Sequence, residues 1–176
     1  MQWPEYFDHH SERLNYRAVE TDDIEAWEEF FHNNDFIPYL GIPDGLSPIQ
    51  MAEKWIHIQL DRYAKFGLGH LAVIEKQSGS LIGMTGILPR TVDDEECYEI
   101  AYSLIPAYWG NGYATEMAQH MQATGRQLGI SDTFVSLIHV ENRPSMKVAE
   151  KCGMTSTRST RFLDMDVIIY STLDNG

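Results

Sequence analysis

The sequence predicts an α+β fold, a mixed and mostly antiparallel sheet of about seven strands flanked by about four helices. Three observations predict it. Segments with strand character and segments with the 3.6-residue helical period follow one another in the order β-α-α-β-β-β-α-β-α-β-β, which mixes hairpins with helical crossovers. No internal repeat, low-complexity tract or linker divides the 176 residues, so one domain over 1–176 is expected, with a core from about 12 to 173. An apolar fraction of 43% is enough for a core that needs no disulfide staple.

The elements follow in chain order. Leu14–Val19 reads as the first strand, and Thr21 before Asp22 and Asp23 is a helix start. Ile24, Trp27, Phe30 and Phe31 then recur at helical spacing until Asn33-Asn34-Asp35 breaks the helix. Residues 36–47 form a loop, and Ser47-Pro48 opens a second helix. Its stripe of Met51, Trp55, Ile58 and Tyr63 predicts burial on one side. His70–Glu75 is a strand, Gln77–Ser80 a turn, and Leu81–Leu88 a strand ended by Pro89. Asp93–Glu96 is an acidic turn before a strand over Tyr98–Ile105. A helix over Tyr113–Leu128 carries Ala114, Met117, Met121 and Leu128 on one face and is capped by Gly129. Phe134–Ile138 is a strand, and a short helix runs from about Pro144 to just before Gly153. Strands near Thr155–Thr160 and Phe162–Thr172 close the chain.

The segment richest in chemistry is Ile105–Glu116, an apolar strand stopped by proline, a turn with Gly110 and Gly112, and the first turn of a helix. The first N–H groups of a helix lack internal partners and point outward at the positive end of its dipole. The glycines let an anion come close to that backbone, so a phosphorylated ligand is expected here. It is not a dinucleotide fingerprint, because Thr115 follows and the third glycine is missing. Nor is it a Walker loop, because Gly-Lys-Ser/Thr is absent.

The phrase Pro106-Ala107-Tyr108-Trp109-Gly110-Asn111-Gly112-Tyr113-Ala114-Thr115 resembles the pyrophosphate loop of the Gcn5-related N-acetyltransferases. It is most similar to the branch that includes the ribosomal-protein N-terminal acetyltransferases. Trp109 departs from the wider family, which usually has Gln or Arg there. A second segment, Asn142-Arg143-Pro144-Ser145 with Glu150-Lys151-Cys152-Gly153-Met154, is similar to the family's Asn-x-x-Ser…Glu-Lys-x-Gly-hydrophobic signature. The element order resembles the family fold from about Leu14 to Thr172.

The resemblance implies acetyl-CoA as co-substrate, bound by Leu104, Ile105, Trp109, Gly110, Asn111, Gly112, Tyr113, Ala114, Thr115 and Asn142. It also implies a bulge in the strand before the glycine loop, which parts from its neighbour so that pantetheine lies in the gap. A backbone N–H near Leu104 then serves as oxyanion donor, and Ser145 donates a proton toward the departing sulfur. Phe30, Phe31, Phe36 and Tyr39 flank the loop that forms the acceptor pocket in the family.

Glu99 is the candidate base. Alternation puts Ile100, Tyr102 and Leu104 on one face of its strand and Glu99, Ala101 and Ser103 on the other. A carboxylate inside a small sheet is unusual unless something uses it, and partial burial suits it to accept a proton near neutral pH. The segment resembles the Glu-Ile-x-aromatic strand of amine acetyltransferases, whose glutamate deprotonates the acceptor. The competing reading is a glutamate paired with a neighbouring basic residue. Asn142 and Ser145 likewise have a competing role as helix caps.

Composition narrows the partners. The chain has 26 acidic and 13 basic residues, a net charge of −13, and no basic footprint for nucleic acid. That surface is compatible with steering a cationic amine, and solubility explains it equally well. Cys97 and Cys152 are not paired in a Cys-x-x-Cys motif, which argues for buried thiols in a reducing compartment. The seven histidines show no metal-ligand spacing, so no metal is expected. His139, three residues before Asn142, has two readings, a cleft residue and a plain structural one. No apolar run reaches the ~20 residues of a membrane helix, and no secretory signal opens the chain. The expected protein is cytoplasmic, a monomer or homodimer, and a direct-transfer N-acetyltransferase acting on a protein N-terminus or a small amine. The alternatives are an inactive acyl-CoA-binding sensor or scaffold and a nucleotide-binding domain.

Overall fold

A computed structural model describes residues 3–172. Its strands are β1 (Asp8–His10), β2 (Leu14–Ala18), β3 (His70–Glu75), β4 (Leu81–Val92), β5 (Glu95–Leu104), β6 (Val135–His139), β7 (Thr155–Phe162) and β8 (Met165–Ser171). The helices are α1 (Ile24–Glu28), α2 (Pro48–Phe66), α3 (Tyr113–Gln127) and α4 (Arg143–Lys151). All eight strands form one sheet in the order β1-β2-β3-β4-β5-β6-β8-β7. Every neighbouring pair is antiparallel except β5 and β6.

Two apolar layers sandwich the sheet. Leu71 and Val73 of β3 point into a core with Met117 and Met121 of α3, and Ala149 of α4 joins the same cluster. Ala72, between them, points into the opposite core with Trp27, Ala52 and Ile56 under α1 and α2. That is the period-2 alternation of a strand covered on both faces.

Several expected boundaries move. The eighth strand, β1, pairs Asp8 with Arg17 and His10 with Asn15, and its polar sequence carries no apolar alternation. The first helix is a single α-turn between 3-10 turns, Thr21–Asp23 and Glu29–Phe31. The buried stripe of α2 is Ala52, Ile56 and Gln59, while Ile58 is 38% exposed. Met51, Trp55 and Tyr63 are partly buried against the same core, and Met51 and Trp55 also border a pocket beside the helix. On α3, Leu128 caps the helix and Met117, Ala118 and Met121 make the buried face. β4 continues through Pro89, which pairs with Tyr98. The β3 side of β4 is unpaired beyond Gly86, so a missing N–H is tolerated there.

One feature of the sheet makes the site. β5 stays in unbroken register with β4 from Val92–Glu95 to Gly83–Leu104, so the bulge expected in β5 is absent. The irregularity lies between β3 and β4, at Val73/Ile74. β5 meets β6 only at Glu99–Val135, with the Ser136 hydroxyl donating to the Ile100 carbonyl at 2.8 Å. Beyond that point β5 follows β4 while β6 follows β8, and the strands part. The gap comes from divergent pairing without a bulge. No helix among the described residues is long and apolar enough to cross a membrane.

Candidate active site

The parted edge of β5 offers backbone groups to the gap. Ile105 N–H donates to the Ile82 carbonyl at 2.8 Å, so Ile105 faces β4 and the N–H of Leu104 faces the other way. The Leu104 carbonyl on that side accepts from Trp109 Nε1 at 2.7 Å. This bond folds the indole back over the end of β5, where Phe36 meets it edge-on at 5.5 Å.

The glycine turn then leads into α3. Gly110 and Gly112 have φ of 79° and 78°, the left-handed region that favours glycine. The first amide of the helix to find a carbonyl is Glu116, bonded to Gly112 at 3.1 Å. The N–H groups ahead of it point outward, as at any helix start. Arg13 braces the turn from outside. Its Nη1 donates to the Asn111 carbonyl at 2.9 Å, its Nε pairs with Glu116 at 2.7 Å, and its guanidinium lies 4.2 Å over the Tyr113 ring. Nothing in the sequence separates Arg13 from other surface arginines, because the contact spans 103 residues.

A cleft with about 1130 Å³ of non-protein space runs along these groups. Leu104, Trp109, Gly110, Gly112, Tyr113, Ala114, Thr115, Asn142 and Ser145 all line it. Ile105 and Asn111 do not. Ile105 is buried toward β4, and the Asn111 side chain turns back to the carbonyls of Tyr108 and Trp109, both at 3.2 Å. Asn142 caps α4, its Oδ1 accepting from Ser145 N–H at 3.2 Å. The capping role is therefore present, and it leaves the Asn142 Nδ2 and the Ser145 hydroxyl without partners among the described residues. Tyr102 donates to the Ser145 carbonyl at 2.8 Å and so ties α4 to β5.

On the other side of Tyr102 and Ser103 lies a second compartment, with about 770 Å³ of non-protein space, and Asn142 and Ser145 border both. Glu99 is in its wall, 7% exposed, and takes Arg90 Nε on Oε2 at 2.7 Å. The pairing with a basic residue therefore holds within the cavity itself. The two-residue turn Asp93-Asp94 sets a register in which Arg90 opposes Cys97, next to Glu99 on the same face. Tyr39 lines this cavity, stacked on His139 at 4.2 Å, whereas Phe30 and Phe36 line the first cleft and Phe31 is core.

His70 completes the wall, stacked on Trp55 at 5.4 Å and 5% exposed. Burial, reinforced by Arg62 and Arg90, holds its pKa well below the usual histidine value. Its folded-state pKa is lowered, so below about pH 6.5 the unfolded chain binds a proton that the folded protein refuses. Stability is therefore expected to fall with pH from that point, by up to about 1.4 kcal/mol per unit from this residue. Half-buried His9 and His120 are lowered too. The His70 share is the difference between the wild type and His70→Gln in urea unfolding at about pH 7 and about pH 5.5. An unchanged slope in the variant would contradict it. Among the described residues no His, Cys, Asp or Glu cluster suits a metal.

A family model described as an acetyltransferase (GNAT) domain matches residues 13–155. The uncharacterized protein YkkB of Bacillus subtilis (strain 168) is 27% identical over 164 residues, 91% of this chain and 92% of its own. The structure of an acetyltransferase from Agrobacterium tumefaciens str. C58 superposes with a TM-score of 0.76 at 26% identity, covering 93% of this chain and 92% of that one. The ribosomal-protein-S5-alanine acetyltransferase of Vibrio fischeri shares the fold at a TM-score of 0.72 and 17% identity, over 96% of this chain and 97% of its own. By its parted strands, its glycine turn and the family model across 13–155, the chain belongs to the GNAT acetyltransferase family.

Proposed function

We propose that the chain moves the acetyl group of acetyl-CoA to a primary amine, on a protein N-terminus or a small molecule, by direct transfer in a ternary complex. The observation that carries this reading is the shared border of the two compartments at Tyr102, Ser103, Asn142 and Ser145. One compartment ends in a helix N-terminus behind left-handed glycines, which suits a pyrophosphate. The other holds a buried carboxylate, which suits an amine.

The residues present fit acetyl-CoA. A Cβ at Gly110 would meet nothing within 4 Å, so the turn is open to a ligand. The bound group supplies an activated acyl carbon and a thiol leaving group. Glu99 takes the proton of the amine, and Arg90 keeps its carboxylate aimed. Leu104 N–H donates to the acyl oxygen as charge gathers there. The Ser145 hydroxyl offers a proton toward the departing sulfur. The C–N bond forms as the C–S bond breaks, so acetamide and free thiol are the products.

Direct transfer is supported by the thiols. Burial pushes Cys152 up to about 11 and also raises Cys97, so neither is a ready thiolate nucleophile. Both are free, in keeping with a reducing, cytoplasmic setting. A protein N-terminus is one acceptor class because the Vibrio fischeri neighbour is named for a ribosomal-protein alanine. The order of reaction is read from initial rates with both substrates varied. Intersecting double-reciprocal lines are expected, and parallel lines would indicate a covalent acetyl-enzyme instead.

A further inference from the structure

Beside α2 the acceptor cavity adjoins an inner pocket with about 640 Å³ of non-protein space, its rim at Pro43, Lys54, Ile58 and Leu163 open to solvent. Trp55, His70 and Arg90 border both. Among the described residues, the charged ones lining the inner pocket are Lys54, Arg62 and Arg90, and the carboxylate of the adjoining cavity, Glu99, stands behind Arg90. That is unexpected in a chain where acids outnumber bases 26 to 13.

The donors around it are unmet. Among the described residues Arg62 has no carboxylate partner, as Arg126, Arg143 and Arg161 have none, but unlike those three it lines this pocket beside Arg90. Its one bond is to a neutral group, Gln59 Oε1 at 3.1 Å. Burial, with Arg90 nearby, draws the Arg62 pKa down to about 10, and the charge of Glu99, already paired with Arg90, offsets this only in part. Both ring nitrogens of His70 and the indole nitrogen of Trp55 are buried without a partner among the described residues. Arg90 spends only its Nε on Glu99. A desolvated cation and orphaned donors are costly unless something pairs with them. An anion in this pocket would take the free guanidinium donors and one His70 N–H.

We propose that the amine this enzyme acetylates also carries an anionic group, a carboxylate or a phosphate, held by Arg62, Arg90 and His70 while the amine faces Glu99. The inference rests on the acetyl-transfer reading and gives it a substrate class. Neutral His70 offers one ring N–H, and the guanidinium forks of the arginines match either oxyanion. Arg90 touches Glu99 and borders the inner pocket, so the amine and anion sites are one side chain apart. The acceptor is therefore compact, with both groups on one small molecule or one terminal residue. The local charge of the cavity opposes that of the whole surface, so net charge is a poor guide to this acceptor.

Matched pairs test it by calorimetry on protein saturated with CoA: O-phosphoethanolamine against ethanolamine, and amino acids against their amides. The anionic member of one pair is expected to bind tighter by about tenfold or more, and the pair that shows it tells phosphate from carboxylate. Arg62→Gln is expected to remove most of that preference, and Arg62→Lys to retain more of it than Gln, with CoA affinity as the check on folding. Equal binding of both members of each pair, or a preference that survives Arg62→Gln, overturns the proposal. Thiol release from acetyl-CoA is read separately. Tight, Arg62-dependent binding without transfer upholds the anion site and overturns the acetyl-transfer reading.

Discussion

Gly112→Glu is expected to abolish acetyl-CoA binding, raising Kd by more than about 100-fold while the fold survives. Gly112 has a φ of 78° and caps α3, so any side chain there is held in the left-handed region at a cost of about 1–2 kcal/mol. A Cβ at that point meets nothing closer than Arg13 Nη2 at 3.7 Å, so strain is the cost to the fold and steric clash is not. The larger effect is electrostatic. A carboxylate would stand at the unbonded amides of the α3 N-terminus and repel a pyrophosphate from them. Gly112→Ala separates the two effects, because it carries the strain without the charge and is expected to lose far less affinity. Calorimetric Kd with a thermal melt for each variant checks both. Retained affinity in Gly112→Glu would refute the assignment of the turn.

Glu99→Gln is expected to lower turnover by about 100- to 10,000-fold, the range for losing a general base, with acetyl-CoA affinity retained. The amide keeps the shape and can still accept from Arg90 Nε, now 2.7 Å from the carboxylate, so the cavity wall is conserved. What is lost is the capacity to take a proton. The pH–rate profile changes with it, which a merely structural role for Glu99 would not produce. Unchanged turnover would remove Glu99 from the mechanism and leave it as the partner of Arg90.

The parts of this site that were legible in the sequence are those written in local backbone chemistry. Gly110 and Gly112 announce a turn because few other residues adopt φ near 80°, and Ser47 and Asn142 announce helix starts because their side chains cap them. Glu99 stands out because a charge between Tyr98 and Ile100 in a strand needs a reason. What failed was mostly tertiary. β1 is a strand only because β2 presents an edge to it, and Pro89 is tolerated only because β3 stops short. The α2 stripe held at Met51, Trp55 and Tyr63, which pack against the core, and failed at Ile58, while the fully buried positions Ala52 and Ile56 lie beside it. Arg13, Arg62 and His70 reach the site across long separations that no spacing rule records. Arg90 was missed for a local reason, because Pro89 was read as the end of its strand and Asp93–Glu96 as the turn. The structure shortens that turn to Asp93-Asp94, which sets the register of Arg90 against the strand of Glu99.

The account turns on whether the two compartments meet to transfer an acetyl group, and thiol release from acetyl-CoA measures this most directly. The protein is incubated with acetyl-CoA alone and with added primary amines, N-terminal peptides included, and the acceptor is weighed by mass spectrometry afterwards. The account predicts thiol release that depends on the amine, in step with an acetylated product, and that Glu99→Gln suppresses. Acetyl-CoA binding with no amine-dependent thiol release across acceptors of every charge would contradict it and leave a CoA-binding sensor in its place.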